Sequence, residues 1–247
     1  MTDSPSKPYA RPPIVEAVAE LCLAQEMGQE EQKKAVKRLE KFYPRWEPIS
    51  NFNFQLTKGA MVNEQPSGFR MSSKDQADIA MINPRSIGIS RLAPYPGWAA
   101  FRDQMVQVWK TVWKRPHKPP LIERIGIRYI NRLDIPIAKD APLQLEDYLK
   151  VHPQCPPIGG APFNGYFLQV SSPTHHPYWN TTITSAIVPP PPPLLDHLSI
   201  AIDIDVFRTE NIPFKDTELW AIVDEARDIK NNIFRLCITQ KAEELFD

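Results

Sequence analysis

A chain of 247 residues with 42% hydrophobic and 23% charged residues has ordinary globular composition, which excludes wholesale disorder. Lys plus Arg and Asp plus Glu number 29 each, so the formal net charge is zero. A protein that grips a phosphate backbone carries a basic excess, so generic nucleic-acid binding is disfavoured.

Residues 1–11 read as a flexible, polar arm without the apolar core of a signal peptide. No apolar run reaches membrane-spanning length, so a cytoplasmic protein with no membrane partner is expected. Cys22, Cys155 and Cys237 are far apart and odd in number, which suits neither a disulfide framework nor a zinc knuckle.

From Ile14, Val15, Ala17, Ala19, Leu21 and Leu23 alternate with Glu16 and Glu20, the period of two of a half-buried strand. Residues 30–43 place Val36, Leu39 and Phe42 or Tyr43 on one side of a charged helix that Pro44 and Pro48 bound. Strands are predicted at 49–57, with Phe52, Phe54 and Leu56 on one face, and at 69–72, 77–82 and 86–92. Over 97–114, Trp98, Phe101, Met105, Val108, Trp109 and Val112 recur at spacings of three and four, as on a helix. The Pro-rich stretch 115–120 closes a first half.

The order then repeats. Residues 121–135 form the clearest strand, with Ile125, Ile127, Tyr129 and Leu133 on one face. A short helix is predicted over 145–151, strands at 166–171, 181–188 and 198–207, and a long helix over 217–245. That helix turns Leu219, Ile222, Val223, Ala226, Ile229 and Ile233 inward, with Asp216 or Thr217 as N-cap. The five prolines Pro189–Pro193 read as a rigid loop between strands, in polyproline II geometry.

The expectation is therefore an α+β chain with halves at 12–120 and 121–247, each strand–helix–strands–helix. They would form an extended antiparallel sheet with the long helices on one face. The arrangement resembles the tandem of the TATA-binding-protein-like class, an analogy of fold that carries no function.

The runs Arg11-Pro12-Pro13-Ile14-Val15-Glu16-Ala17-Val18, Arg128-Tyr129-Ile130-Asn131-Arg132 and Asp203-Ile204-Asp205-Val206-Phe207 suggest a family. With Leu219-Trp220 and Lys230-Asn231, they resemble a sporadically distributed bacterial protein family of unknown function, in order along nearly the whole chain. The resemblance implies a bacterial, cytoplasmic protein of about this length. It brings no activity and no catalytic residues, and the five-proline loop stands outside its pattern.

Two polar clusters are candidates for chemistry. Arg124, Arg128 and Arg132 share the polar face of strand 121–135, and Glu16 and Glu20 share that of the first strand. If those two strands are neighbours at the sheet centre, the charges form cross-strand ion pairs. The functional alternative is an anion site, with arginine forks gripping a phosphate or carboxylate and Asn131 beside them.

The second cluster is Asp203 and Asp205 on one strand face, a spacing able to hold Mg²⁺ in phosphoryl transfer. That chemistry also wants a Gly-Ser helix start and a third carboxylate, so service as carboxylate partners of the arginines explains the pair better. The histidines, His175 and His176 included, read as loop residues. No Gly-x-Ser-x-Gly, His-Glu-x-x-His or phosphate-binding Gly-Lys-Ser/Thr motif occurs.

Trp113 and Trp179 fit no apolar face and read as candidate interface anchors. The expected function is a noncatalytic binding protein that recognises a protein partner or a small anionic ligand on its sheet surface, without a cofactor. Self-association through a sheet edge or helix is a further possibility. The alternative is a metal-dependent phosphoryl-transfer enzyme using Asp203 and Asp205.

Overall fold

The computed structural model describes residues 9–57, 59–114, 120–137, 144–154 and 165–247, the side chains of 50–66 excepted. Among them are nine strands and four α-helices, an α+β architecture with one large antiparallel sheet. The strands are β1 (Ile14–Leu23), β2 (Arg45–Thr57), β3 (Gly59–Ser72), β4 (Asp78–Ile82), β5 (Ser86–Leu92), β6 (Ile122–Pro136), β7 (Phe167–Pro173), β8 (Asn180–Val188) and β9 (His197–Arg208). The helices are α1 (Gln29–Leu39), α2 (Trp98–Val112), α3 (Asp216–Cys237) and α4 (Gln240–Glu243). The sheet order is β2-β3-β4-β5-β1-β6-β9-β8-β7. No helix among the described residues is long and apolar enough to cross a membrane.

Compactness divides the chain into two units. The first comprises Met1–Glu16, Arg128–Phe207 and Asp224–Asp247. The second comprises Ala17–Ile127 and Arg208–Val223.

In the first unit, β6 and β9 show why the sheet has two unlike faces. Tyr129, Leu133 and Ile135 of β6 and Ile200, Ile202, Ile204 and Val206 of β9 are buried. The alternate residues, among them Arg128, Arg132, Asp203 and Asp205, turn to the solvent side, as the two-residue period requires. Helix α3 covers the buried face: the Lys230 ammonium lies 3.7 Å from the centroid of the Tyr129 ring.

β8 pairs with β9 and with β7 in unbroken antiparallel register. The proline run Pro189–Pro193 opens the connection 189–196 from β8 to β9. It ends in a turn rather than continuing as polyproline II, the Leu194 N–H donating to the Pro191 carbonyl. Tyr9 packs edge-on against Phe246, and the Arg11 N–H donates to the Phe246 carbonyl.

In the second unit, Ala17, Ala19, Leu21 and Leu23 of β1 are buried together with Ile87 and Ile89 of β5. The apolar stripe of α2, Phe101, Met105, Val108, Trp109 and Val112, is buried too. The Arg38 guanidinium on α1 donates to the Val112 carbonyl at the end of α2.

Several element boundaries differ from the sequence expectations: α1 ends at Leu39 rather than 43 and β2 begins at Arg45 rather than 49. Three further differences have a physical reason. The helix expected over 217–245 stops at Cys237, where Ile238 leaves to bridge Leu149 and the Thr239 hydroxyl accepts the Ala242 N–H to start α4. The helix expected over 145–151 is a single 3₁₀ turn, Leu145–Asp147, because that bridge takes up the backbone that would continue it. β3 begins at Gly59 rather than Phe69, since pairing with β2 carries the stretch 59–68, whose apolar and polar residues fall in blocks rather than alternating.

Candidate functional site

Each of the three arginines of β6 already holds a carboxylate. In the first unit, Arg128 Nε donates to both Asp203 oxygens, at 2.8 and 3.0 Å, and its Nη2 donates to Oδ2. Hydrogen bonding to Asp203 raises the Arg128 pKa above its ordinary value, against the effect of burial, with Asp205 and Glu16 adding field. Arg132 Nε donates to Asp134 two residues along the same strand, at 3.0 and 3.2 Å, and the Ser199 hydroxyl donates to that carboxylate.

In the second unit, Arg124 Nη1 donates to Glu20 at 3.3 Å. Its guanidinium crosses Gly126, where an added Cβ would stand 2.8 Å from Nη1, so the missing side chain gives Arg124 its route. The Glu20–Arg124 contact is thus a rung of the expected ladder. Arg128 and Arg132 draw their hydrogen-bonded partners from β9 and from β6 itself.

Asn131 does not join the arginines. One residue out of phase with Arg128 and Arg132, it falls on the buried face and is 2% exposed. Its amide donates to the carbonyls of Ile202, at 3.0 Å, and Tyr129, at 3.3 Å.

Around the Arg128–Asp203 pair the open face carries a depression of about 230 Å³, lined by Arg128, Gln169, Thr182, Thr184, Asp203 and Asp205. Register builds it. Thr184 stands opposite Asp203, Thr182 opposite Asp205, and Gln169 opposite Thr184, so side chains of three adjacent strands meet on one face. The Gln169 amide donates to the Thr184 hydroxyl at 3.1 Å, and Ser171 and Thr182 share a 3.0 Å contact.

Asp203 and Asp205 therefore do line one concavity, with Asp203 engaged by Arg128. Among the described residues no three His, Cys, Asp or Glu side chains converge as a metal site would require. His197 contacts Asp196 at 2.7 Å, and His176 stands 3.7 Å from Glu225.

Cys237 is buried, and burial pushes its thiol up to about 11, away from thiolate chemistry. Cys22 is half-buried, and burial raises its pKa. Cys155, His117 and the Gly159-Gly160 loop lie outside the described residues.

A larger depression, about 490 Å³, lies in the second unit between the end of α1, β4 and α2. There the Gln104 amide donates to the Tyr43 hydroxyl, whose pKa burial pushes up to about 12. Its lining comes from three separated segments, so no local sequence signal marks it. The smaller depression has the stronger chemical definition, because its polar groups converge.

The tryptophans singled out as interface anchors are not exposed ones. Trp179 is 1% exposed, and Trp113 packs edge-on against Trp109 at 5.9 Å. Among the exposed apolar residues is Phe167 on β7, 70% exposed, which strand patterning alone does not single out. Compared with known proteins, the chain matches no protein-family model and no curated protein.

Proposed function

We propose that the chain is a noncatalytic binding protein that holds a protein partner on the open sheet face of its first unit. One observation carries the reading: hydrogen-bonding side chains of β6, β9, β8 and β7 converge on the 230 Å³ depression around Arg128 and Asp203. Neutral amides and hydroxyls beside a neutralised ion pair suit the polar side chains of a protein. A small anion suits the face less well, since Arg124, Arg128 and Arg132 each hold a carboxylate that it would have to displace. Asp203 is likewise engaged by Arg128, which disfavours a metal pair with Asp205.

The test is affinity capture with the wild-type chain and with the double variant Thr182→Val, Thr184→Val, which keeps side-chain volume and removes both hydroxyls. A protein retained by the wild type and lost by the folded variant supports the reading. A melting shift with inorganic phosphate that Arg128→Ala abolishes points to the small anion instead. Equal capture by both forms removes the depression from consideration.

We also infer that the halves 12–120 and 121–247 are a duplication. Support comes from strand order: outward from the centre run β1, β5, β4, β3, β2 on one side and β6, β9, β8, β7 on the other, the first half carrying one strand more. In both, the first strand of the half lies beside the last. That order suits the tandem arrangement of the TATA-binding-protein-like class, as an analogy of topology.

A further inference from the structure

We infer that β7 is a dimerisation edge, which pairs antiparallel with β7 of a second copy of this chain about a twofold axis at Val170. β7 is the terminal strand of the sheet order and pairs with β8 alone among the described residues. Two backbone bonds fix which of its groups turn outward. The Ile187 N–H donates to the Tyr166 carbonyl, and the Thr174 N–H donates to the Trp179 carbonyl.

With the unbroken register from Phe167–Ala186 to Pro173–Asn180, the even-numbered residues face β8. The backbone N–H and C=O groups of Phe167, Gln169 and Ser171, with the Pro173 carbonyl, therefore turn to the open edge. Natural edge strands are guarded by charge, bulges, internal proline or brevity. β7 has seven residues, no charge and no bulge, and its proline is the last residue.

The sequence of β7 is complementary to itself, which selects a second copy over another partner. A twofold axis at Val170 sets Val170 against Val170, Gln169 against Ser171, Leu168 against Ser172 and Phe167 against Pro173. Gln169 and Ser171 of opposite copies then exchange N–H···O=C bonds in both directions. The Phe167 N–H reaches the Pro173 carbonyl, and the missing Pro173 donor falls where the pairing ends.

The two exposed apolar side chains of the strand, Phe167 at 70% and Val170 at 45%, are both covered. The neighbouring registers do worse: one sets Phe167 against Ser171, and the other carries Phe167 past the strand end.

Light scattering on the full chain at tens of micromolar should give twice the chain mass. Ser171→Pro deletes an outward N–H and leaves the β8 ladder intact, so it should give a monomer with native circular dichroism. Val170→Lys brings two ammonium groups together at the axis and should do the same. Opposed residues in such a non-hydrogen-bonded pair stand ~4.5 Å apart between Cα atoms, within disulfide reach. Val170→Cys should therefore give an oxidised, covalently linked dimer, whereas Leu168→Cys, which faces Ser172, should not. A monomeric wild type overturns the inference, as does a dimer that Ser171→Pro leaves intact, or equal cross-linking by the two cysteine variants.

Discussion

Arg128 on β6 straddles the Asp203 carboxylate on β9, with Nε shared between both oxygens and Nη2 on one of them. The carboxylate side chain is 17% exposed and the arginine 49%, so the pair is screened from one side only. Charge-assisted, multiply bonded pairs exceed simple surface pairs, but partial exposure moderates the gain. A double-mutant cycle of Arg128→Ala and Asp203→Asn, read by urea denaturation, should give a coupling of about 1 kcal/mol. A coupling indistinguishable from zero would mean that the pair serves the surface and not the fold.

Asn131 supplies the opposite case, a polar residue whose role is internal. Its amide is buried and bonded to the Ile202 carbonyl of β9. Asn131→Ala leaves that carbonyl without the donor and opens a small void, at a cost of about 2 kcal/mol. Chemical denaturation should show the loss. Partner capture by the folded fraction should be unchanged, because the side chain lies on the face away from the depression.

Residues with a strong local period were legible in the sequence, and residues defined by a neighbour were not. β1 runs from Ile14 to Leu23 with Ala17, Ala19, Leu21 and Leu23 buried, because alternation alone specifies which face a strand side chain occupies. The stripe of α2 was readable for the same reason. The end of α3 was not: its apolar spacing runs on past Cys237, and only the Ile238–Leu149 bridge stops it. At the site, the shared face of Arg128 and Arg132 was legible from spacing. Asp134 as the partner of Arg132 was not, since side-chain reach along one strand leaves no pattern. The depression depends on the β7–β8–β9 register, which a single strand does not encode.

Gly68 marks a place where backbone geometry dictates the residue. Pairing of β2 with β3 passes from Ile49–Gly68 to Ser50–Pro66, so Ser67 is an extra residue, and its hydroxyl donates to the Ile49 carbonyl. Gly68 takes a φ of +143°, and an added Cβ would stand 2.4 Å from the Asn83 Oδ1 and 2.6 Å from the Ile82 carbonyl oxygen. The β4 backbone cannot yield as a side-chain tip can. Gly68→Ala should destabilise by about 3 kcal/mol in a thermal or urea melt. A near-neutral result would show that the β3–β4 pair opens at this point without cost.

Lys230 gives the chain a pH signature. Its ammonium is buried against the Tyr129 ring, and burial, with the charges of Arg227 and Arg235, pushes its pKa down to about 7. Above pH 7 the native amine sheds its proton, while the unfolded chain keeps one up to the ordinary lysine range near ~10.4. The unfolded state then binds more protons, so this contribution to stability rises with pH, by up to about 1.4 kcal/mol per pH unit for one proton.

Other groups reverse the trend higher up. Cys237, raised to about 11, holds its proton in the folded state beyond the ordinary thiol range, so its contribution falls above about pH 8.5. Tyr9 and Tyr43, both raised to about 12, do the same above about pH 10. Urea midpoints should therefore climb from pH 7 to roughly 8.5. Lys230→Met, which fills the same space without a charge to desolvate, should be the more stable form at pH 7 and should flatten that climb. A wild-type slope that the variant retains would assign the pH dependence to other groups.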